Sequence, residues 1–199
     1  MDLPSSLAAP AGLDRPVADA QAVFRAALQA FAQPGLMATS PAAPVPPQGL
    51  QPSTWALALA LFDAETRVLL CGYKDVAEMR RALGQFTECA WADGPADADF
   101  VLAASPAALP ALTALKHGSD FDPHDSATVV VEVAAFAQGE PVALQGPGVD
   151  GQAAVRVTGL DDGFWSQWAR VNAAYPRGVD ILFSDGRSFL GLPRTARRI

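Results

Sequence analysis

The spacing of apolar and polar positions changes several times along this chain. From Val17 to Gln33, the residues Val17, Ala20, Phe24, Ala27, Leu28 and Phe31 recur at helical intervals, which predicts an amphipathic helix. Asp14 or Asp19 lies near its start, where a carboxylate suits the helix dipole. Pro34-Gly35 ends it. Ahead of that helix, residues 1–16 are rich in Pro, Ala and Ser and predict an irregular arm, loose or wrapped on a partner. Behind it, Pro41, Pro44, Pro46, Pro47 and Pro52 predict a connector over 38–52 with little regular structure. Residues 17–199 are expected to form a single α/β domain.

Trp55 to Phe62 alternates Leu and Ala. The period suits a strand, but both residue types favour helix, so a buried helix capped by Ser53 or Thr54 is expected. Arg67 to Gly72 predicts a short strand. Asp75 with Glu78 three positions on has capping-box spacing and opens a helix reaching about Leu83 or Phe86. Strands are predicted at Glu88 to Ala92, Ala98 to Ala103, Thr128 to Val133 and Ala153 to Thr158, with a short helical segment opened by Ser105-Pro106. Asp161 to Val171 predicts an amphipathic helix carrying Phe164, Trp165 and Trp168. Those aromatics suit a core face, with a partner interface as the alternative. Val179 to Phe183, the Asp185-Gly186 turn and Ser188 to Leu192 read as a closing hairpin. Strands alternating with helices give an α/β class.

Composition narrows the partners. The net charge is −7, and Lys74 and Lys116 are the only lysines. No basic footprint suits nucleic acid or an anionic membrane. The N-terminus lacks signal-peptide features and no apolar run is long enough to span a bilayer, so a cytoplasmic location is expected. Cys71 and Cys89 lie in apolar surroundings and read as packed, free thiols.

Three constellations invite chemistry. Gly146-Pro147-Gly148-Val149-Asp150-Gly151 spells G-x-G-x-x-G. A dinucleotide site needs that motif between a strand and a helix, whereas a strand is predicted after it, and Pro147 removes a donor. A glycine-rich turn between strands explains it better. His117 and His124 share an acidic loop with Asp120, Asp122 and Asp125. Their spacing matches no fixed metal-ligand pattern, and a solvated loop is the plainer reading. The third is the hairpin itself: Arg177, Asp180 and Arg194 are charges at or inside apolar segments, and a half-buried charge needs a partner. Either an Arg–Asp pair tethers the hairpin, or Arg177 and Arg194 form an anion site with Asp180 orienting one of them. No nucleophile elbow, C-x-x-C or Schiff-base lysine context occurs.

Ala22-Val23-Phe24-Arg25-Ala26-Ala27-Leu28, Pro34-Gly35, Leu57 to Asp63, Leu144-Gln145-Gly146-Pro147-Gly148, Tyr175-Pro176-Arg177-Gly178-Val179-Asp180 and Leu192-Pro193-Arg194-Thr195 occur in this order. Together they resemble the PhnH family of the carbon–phosphorus lyase system, over nearly the whole chain and least over 84–127. The resemblance implies a mixed β-sheet flanked by helices, similar to the fold of pyridoxal-phosphate-dependent transferases but without that cofactor. It implies phosphonate catabolism: work with PhnG, PhnI and PhnL that exchanges the adenine of ATP for methylphosphonate. The product, ribose 1-methylphosphonate 5-triphosphate, is later cleaved by PhnJ. It also implies a homodimer and a core complex with PhnG, PhnI and PhnJ. It assigns this subunit no catalytic residue and no cofactor, and the spacing read above gives no metal site. A structural, interaction-bearing subunit is therefore expected, with a phosphonate- or nucleotide-phosphate-binding subunit of a shared active site as the alternative.

Overall fold

Side chains alternate along the buried strands and enter two separate apolar layers, one on each side of a single sheet. The computed structural model describes residues 9–136 and 139–199. In chain order come helix α1 (Pro16–Ala32), strand β1 (Met37–Thr39), helix α2 (Pro52–Leu61), strand β2 (Arg67–Cys71), helix α3 (Val76–Thr87), and strands β3 (Ala90–Trp91) and β4 (Phe100–Ala103). Strands β5 (Thr128–Glu132), β6 (Val142–Gln145) and β7 (Ala153–Val155) follow, then helix α4 (Asp162–Asn172) and strands β8 (Asp180–Ser184), β9 (Ser188–Leu192) and β10 (Arg197–Arg198). The main sheet runs β1-β9-β8-β5-β4-β2-β3, with β3, β2, β4, β5 and β8 parallel. β9 returns antiparallel beside β8, and β1 pairs antiparallel with β9 at the edge.

Leu102, Val130, Leu182 and Phe189 pack on one face against residues of α1, α2 and α3. Val101, Val129, Val131, Ile181 and Phe183 pack on the other against α4 and a second sheet, β10-β6-β7. The result is a mixed α/β fold with helices flanking the sheet. Both faces are covered, which is why β5 and β8 are continuous apolar runs. Among the described residues no helix is long and apolar enough to cross a membrane.

Three expectations change. First, β1 forms inside the proline-bounded stretch, because Met37–Thr39 falls between Pro34 and Pro41 and finds a partner strand. Second, neither Ser53 nor Thr54 caps α2. Pro52 is the first helical residue, and both hydroxyls turn to Ser184 Oγ (2.5 and 3.1 Å). The helix start is satisfied from across the sheet instead, where Glu132 accepts the Gln51 N–H at 2.7 Å. Third, the described part of the arm lies on the body. The indole N–H of fully buried Trp55 needs an acceptor, and the Ala11 carbonyl provides it at 2.8 Å. The rest of that predicted arm, residues 1–8, lies outside the described residues. α3 forms as its capping box predicts, with the Asp75 carboxylate accepting the Glu78 N–H at 2.9 Å.

Candidate functional site

The entrance to the hairpin is shaped by a close backbone approach. Tyr175–Pro176 is cis, and Gly178 has φ of +149°. The last residue of α4, Asn172, accepts the Val179 N–H through Oδ1 at 2.9 Å. A Cβ on Gly178 would sit 2.1 Å from that same oxygen, so only glycine fits. The Gly178 N–H donates to the His117 carbonyl at 2.9 Å, tying the turn to the loop that begins there.

Arg194 is the hub of this region. Its backbone N–H donates to Asp180 Oδ1 (2.7 Å), and its Nε and Nη2 donate to Asp180 Oδ2 (3.0 and 2.5 Å). Nη1 donates to the carbonyls of Pro123 (2.8 Å) and Pro176 (3.3 Å), and Nη2 also reaches Ser126 Oγ. All five guanidinium N–H groups have acceptors. The side chains of Arg194 and Asp180 are only 13% and 23% exposed. Arg177 goes elsewhere: its Nε pairs with Asp120 at 3.2 Å, with both side chains well exposed. The structure thus joins Arg194 to Asp180 and gives Arg177 a carboxylate of its own.

Beside this hub lies a cavity of about 710 Å³. Its walls come from the turn after β6 (Gln145, Gly146, Pro147), from α4 and its exit (Trp168, Asn172, Tyr175), and from the terminal segment (Arg194 to Arg198). The last three sequence segments named above as a resemblance therefore converge here. Trp168 and Asn172 bring buried polar atoms, Nε1 and Nδ2, that have no hydrogen-bond partner among the described residues. The lining holds arginines, amides and the hydroxyls of Tyr175 and Thr195, and among the described residues it includes no carboxylate, histidine, cysteine or lysine. Such walls can hold an acceptor-rich group. Sequence reasoning took Trp168 as core or interface and passed over Asn172. The one signal was a polar residue closing an aromatic helix face just before the Tyr175-Pro176-Arg177-Gly178 turn.

A family model described as bacterial phosphonate metabolism protein (PhnH) matches residues 11–198. The chain belongs to the PhnH family. It is 32% identical over 182 residues to the alpha-D-ribose 1-methylphosphonate 5-triphosphate synthase subunit PhnH of Rhizobium meliloti (strain 1021), covering 92% of this chain and 91% of that one. It is also 40% identical over 98 residues, 49% of each chain, to a Stutzerimonas stutzeri protein given the provisional name C-P lyase subunit protein HtxG.

Elsewhere in this PhnH-family chain two residues of the His/Asp loop region, His117 and Lys116, have structural partners. His117 Nε2 lies 2.8 Å from the Leu112 carbonyl, and Lys116 bridges Asp99 (2.8 Å) and Asp125. Among the described residues no three His, Cys, Asp or Glu side chains form a metal-binding group. The G-x-G-x-x-G stretch links β6 to β7, which pair antiparallel, so no helix follows it. The parallel strands switch direction of growth between β2 and β4, where open α/β sheets usually bind ligands. Here the following loops touch: a Cβ on Gly72 would lie 2.4 Å from that of Ala108. Behind them sits a buried acid that the sequence did not flag. Burial pushes the Glu132 carboxyl up to about 7, against the opposing hydrogen bond from the Gln51 N–H. Burial also raises the thiols of Cys71 and Cys89, which makes them poor nucleophiles.

Proposed function

We propose that this chain is a structural and interaction subunit of an assembly that makes ribose 1-methylphosphonate 5-triphosphate from ATP and methylphosphonate. The observation that carries the reading is the match to a relative named as a subunit of that synthase, which spans 91% of the relative's length. The donors lining the cavity suit a chain that shapes or completes a site for an acceptor-rich group. In this reading the partners are PhnG, PhnI and PhnJ, the chain also pairs with a second copy of itself, and the assembly is cytoplasmic. The likeness to pyridoxal-phosphate-dependent transferases belongs to the same proposal, supported by the mixed sheet with helices on its faces. The test is genetic. Deleting the chain in its native host should abolish growth on methylphosphonate as phosphorus source, and the purified chain alone should show no turnover of ATP with methylphosphonate. Intact growth after deletion would sink the reading.

A second reading makes the chain a phosphate-binding member of a shared site, with Arg177 and Arg194 as clamps and Asp180 orienting one of them. The cavity favours a bound anion through Arg197, Arg198 and Asn172, whereas Arg177 lies outside its lining. The internal pairing of Arg194 favours the bracing role. Calorimetry with ATP and with methylphosphonate separates the two: binding heat that survives Arg177→Ala and Arg194→Ala refutes the clamp assignment.

A further inference from the structure

The cavity between α4 and the terminal segment holds donors that the fold does not use. Trp168 and Asn172 are 1% and 9% exposed, yet Trp168 Nε1 and Asn172 Nδ2 have no acceptor among the described residues. Buried donors left unpaired are costly, and an arriving acceptor removes that cost. Charge gathers at the same place. In a chain of net charge −7, the last six residues hold three of the 14 basic side chains, Arg194, Arg197 and Arg198. Arg194 is saturated by its own contacts, whereas Arg197 is exposed and makes no ion pair among the described residues. Arg198 already takes a carboxylate, Asp162 Oδ1 at 3.1 Å, and the Asp162 side chain is 90% exposed. β10 also ends its sheet, pairing with β6 alone. The Ile199 N–H donates to the Ala143 carbonyl at 3.1 Å, so in the alternating ladder the N–H and C=O of Arg198 point away from β6.

We propose that this strand edge and cavity receive an extended acidic segment of another protein subunit. The proposal rests on the interaction reading above and adds the surface and the partner's chemistry. Neighbouring residues of a strand face opposite sides of the sheet, so Arg197 and Arg198 do not fork onto one phosphate as a paired clamp. A segment laid along β10 alternates in the same way and sets one carboxylate on each arginine. Its backbone meets the free peptide groups of Arg198, the mode by which a sheet edge takes up an added strand. Its carbonyls give Trp168 Nε1 and Asn172 Nδ2 the acceptors they lack. Charge fixes the register, because an acidic segment is attracted where this acidic chain is locally basic and repelled elsewhere on it.

Cross-linking within the assembly provides the test. A benzophenone side chain replaces the Tyr175 phenol, which is 62% exposed on the cavity wall, and the full chain copurified with PhnG, PhnI and PhnJ is irradiated. The expected adduct is an Asp- and Glu-rich peptide of another subunit. Arg197→Glu combined with Arg198→Glu should weaken capture of those subunits at least about 30-fold, with unchanged circular dichroism. Trp168→Phe keeps an aromatic ring and removes the N–H, and should weaken capture about 5-fold. Arg81→Glu, exposed on α3, should leave capture unchanged. Capture unaffected by the paired arginine reversal overturns this surface and leaves the interaction reading standing. A wild-type chain that captures none of the three subunits overturns both. An adduct within the chain's own sequence assigns the cavity to a second copy and overturns the proposal. So does calorimetric binding of ATP or pyrophosphate that the arginine reversal abolishes, which assigns the cavity to a phosphorylated small molecule.

Discussion

Replacing Arg194 with methionine keeps most of the side-chain volume and removes every guanidinium contact. Asp180 would keep one hydrogen bond, from the backbone N–H of residue 194. It would lose Nε and Nη2, while the Pro123 and Pro176 carbonyls and Ser126 Oγ would lose the donors that join their loops to the hairpin. Breaking one partner out of a buried ion pair costs about 3–5 kcal/mol. Asp180 retains partial exposure, 23% of its side chain, so the lower end applies: about 3 kcal/mol. In a chain of this size that lowers the melting temperature by roughly 6–12 °C. The measurement is urea unfolding followed by circular dichroism, on wild type, Arg194→Met, Asp180→Asn and the double variant. Because the two residues share one network, the double variant should be more stable than the sum of the singles predicts, by about 1–3 kcal/mol. The coupling should also change little with added salt, since the pair is mostly shielded. A loss below about 1 kcal/mol, or strict additivity, would show that this is an ordinary surface pair and that the hub does not brace the hairpin.

Two other sites give equally specific outcomes. Glu132 is held up to about 7 in the folded chain and titrates near 4.5 when exposed, so the folded state binds the extra proton between those values. Stability should therefore fall as pH rises from about 4.5 to 7 and level off above, by on the order of 3 kcal/mol in total. Glu132→Gln should flatten that slope in pH-resolved urea titrations; an unchanged slope would assign it to other groups. Gly178→Ala drives a methyl into Asn172 Oδ1 and deprives the Val179 N–H of its acceptor. It should cost at least about 2 kcal/mol, with partial recovery in Gly178→Ala/Asn172→Ala. A melting temperature within about 2 °C of wild type would refute the close approach.

The parallel strands were legible because β-branched runs such as Thr128–Glu132 admit few alternatives, and α3 was legible because Asp75 and Glu78 act within one turn. What stayed hidden is non-local. The second sheet is built from strands of two to four residues whose pairing depends on the terminal segment returning to β6. The cap of α2 comes from Glu132, 81 residues away, and the Pro123 carbonyl that receives Arg194 is 71 residues away. The charges of the candidate site were visible as charges inside apolar segments. Their division into a braced pair and a separate Arg177–Asp120 pair was not, because the loop carrying Asp120 has no periodicity. Nor was the cavity, which exists only because α4 lies between the turn after β6 and the terminal segment.

The central claim is membership of a working assembly, and affinity purification from phosphate-starved cells of the native host tests it most directly. A tagged copy of this chain should bring down PhnG, PhnI and PhnJ in fixed ratio by mass spectrometry. Recovery of the chain free of all three, from cells growing on methylphosphonate, would contradict the account.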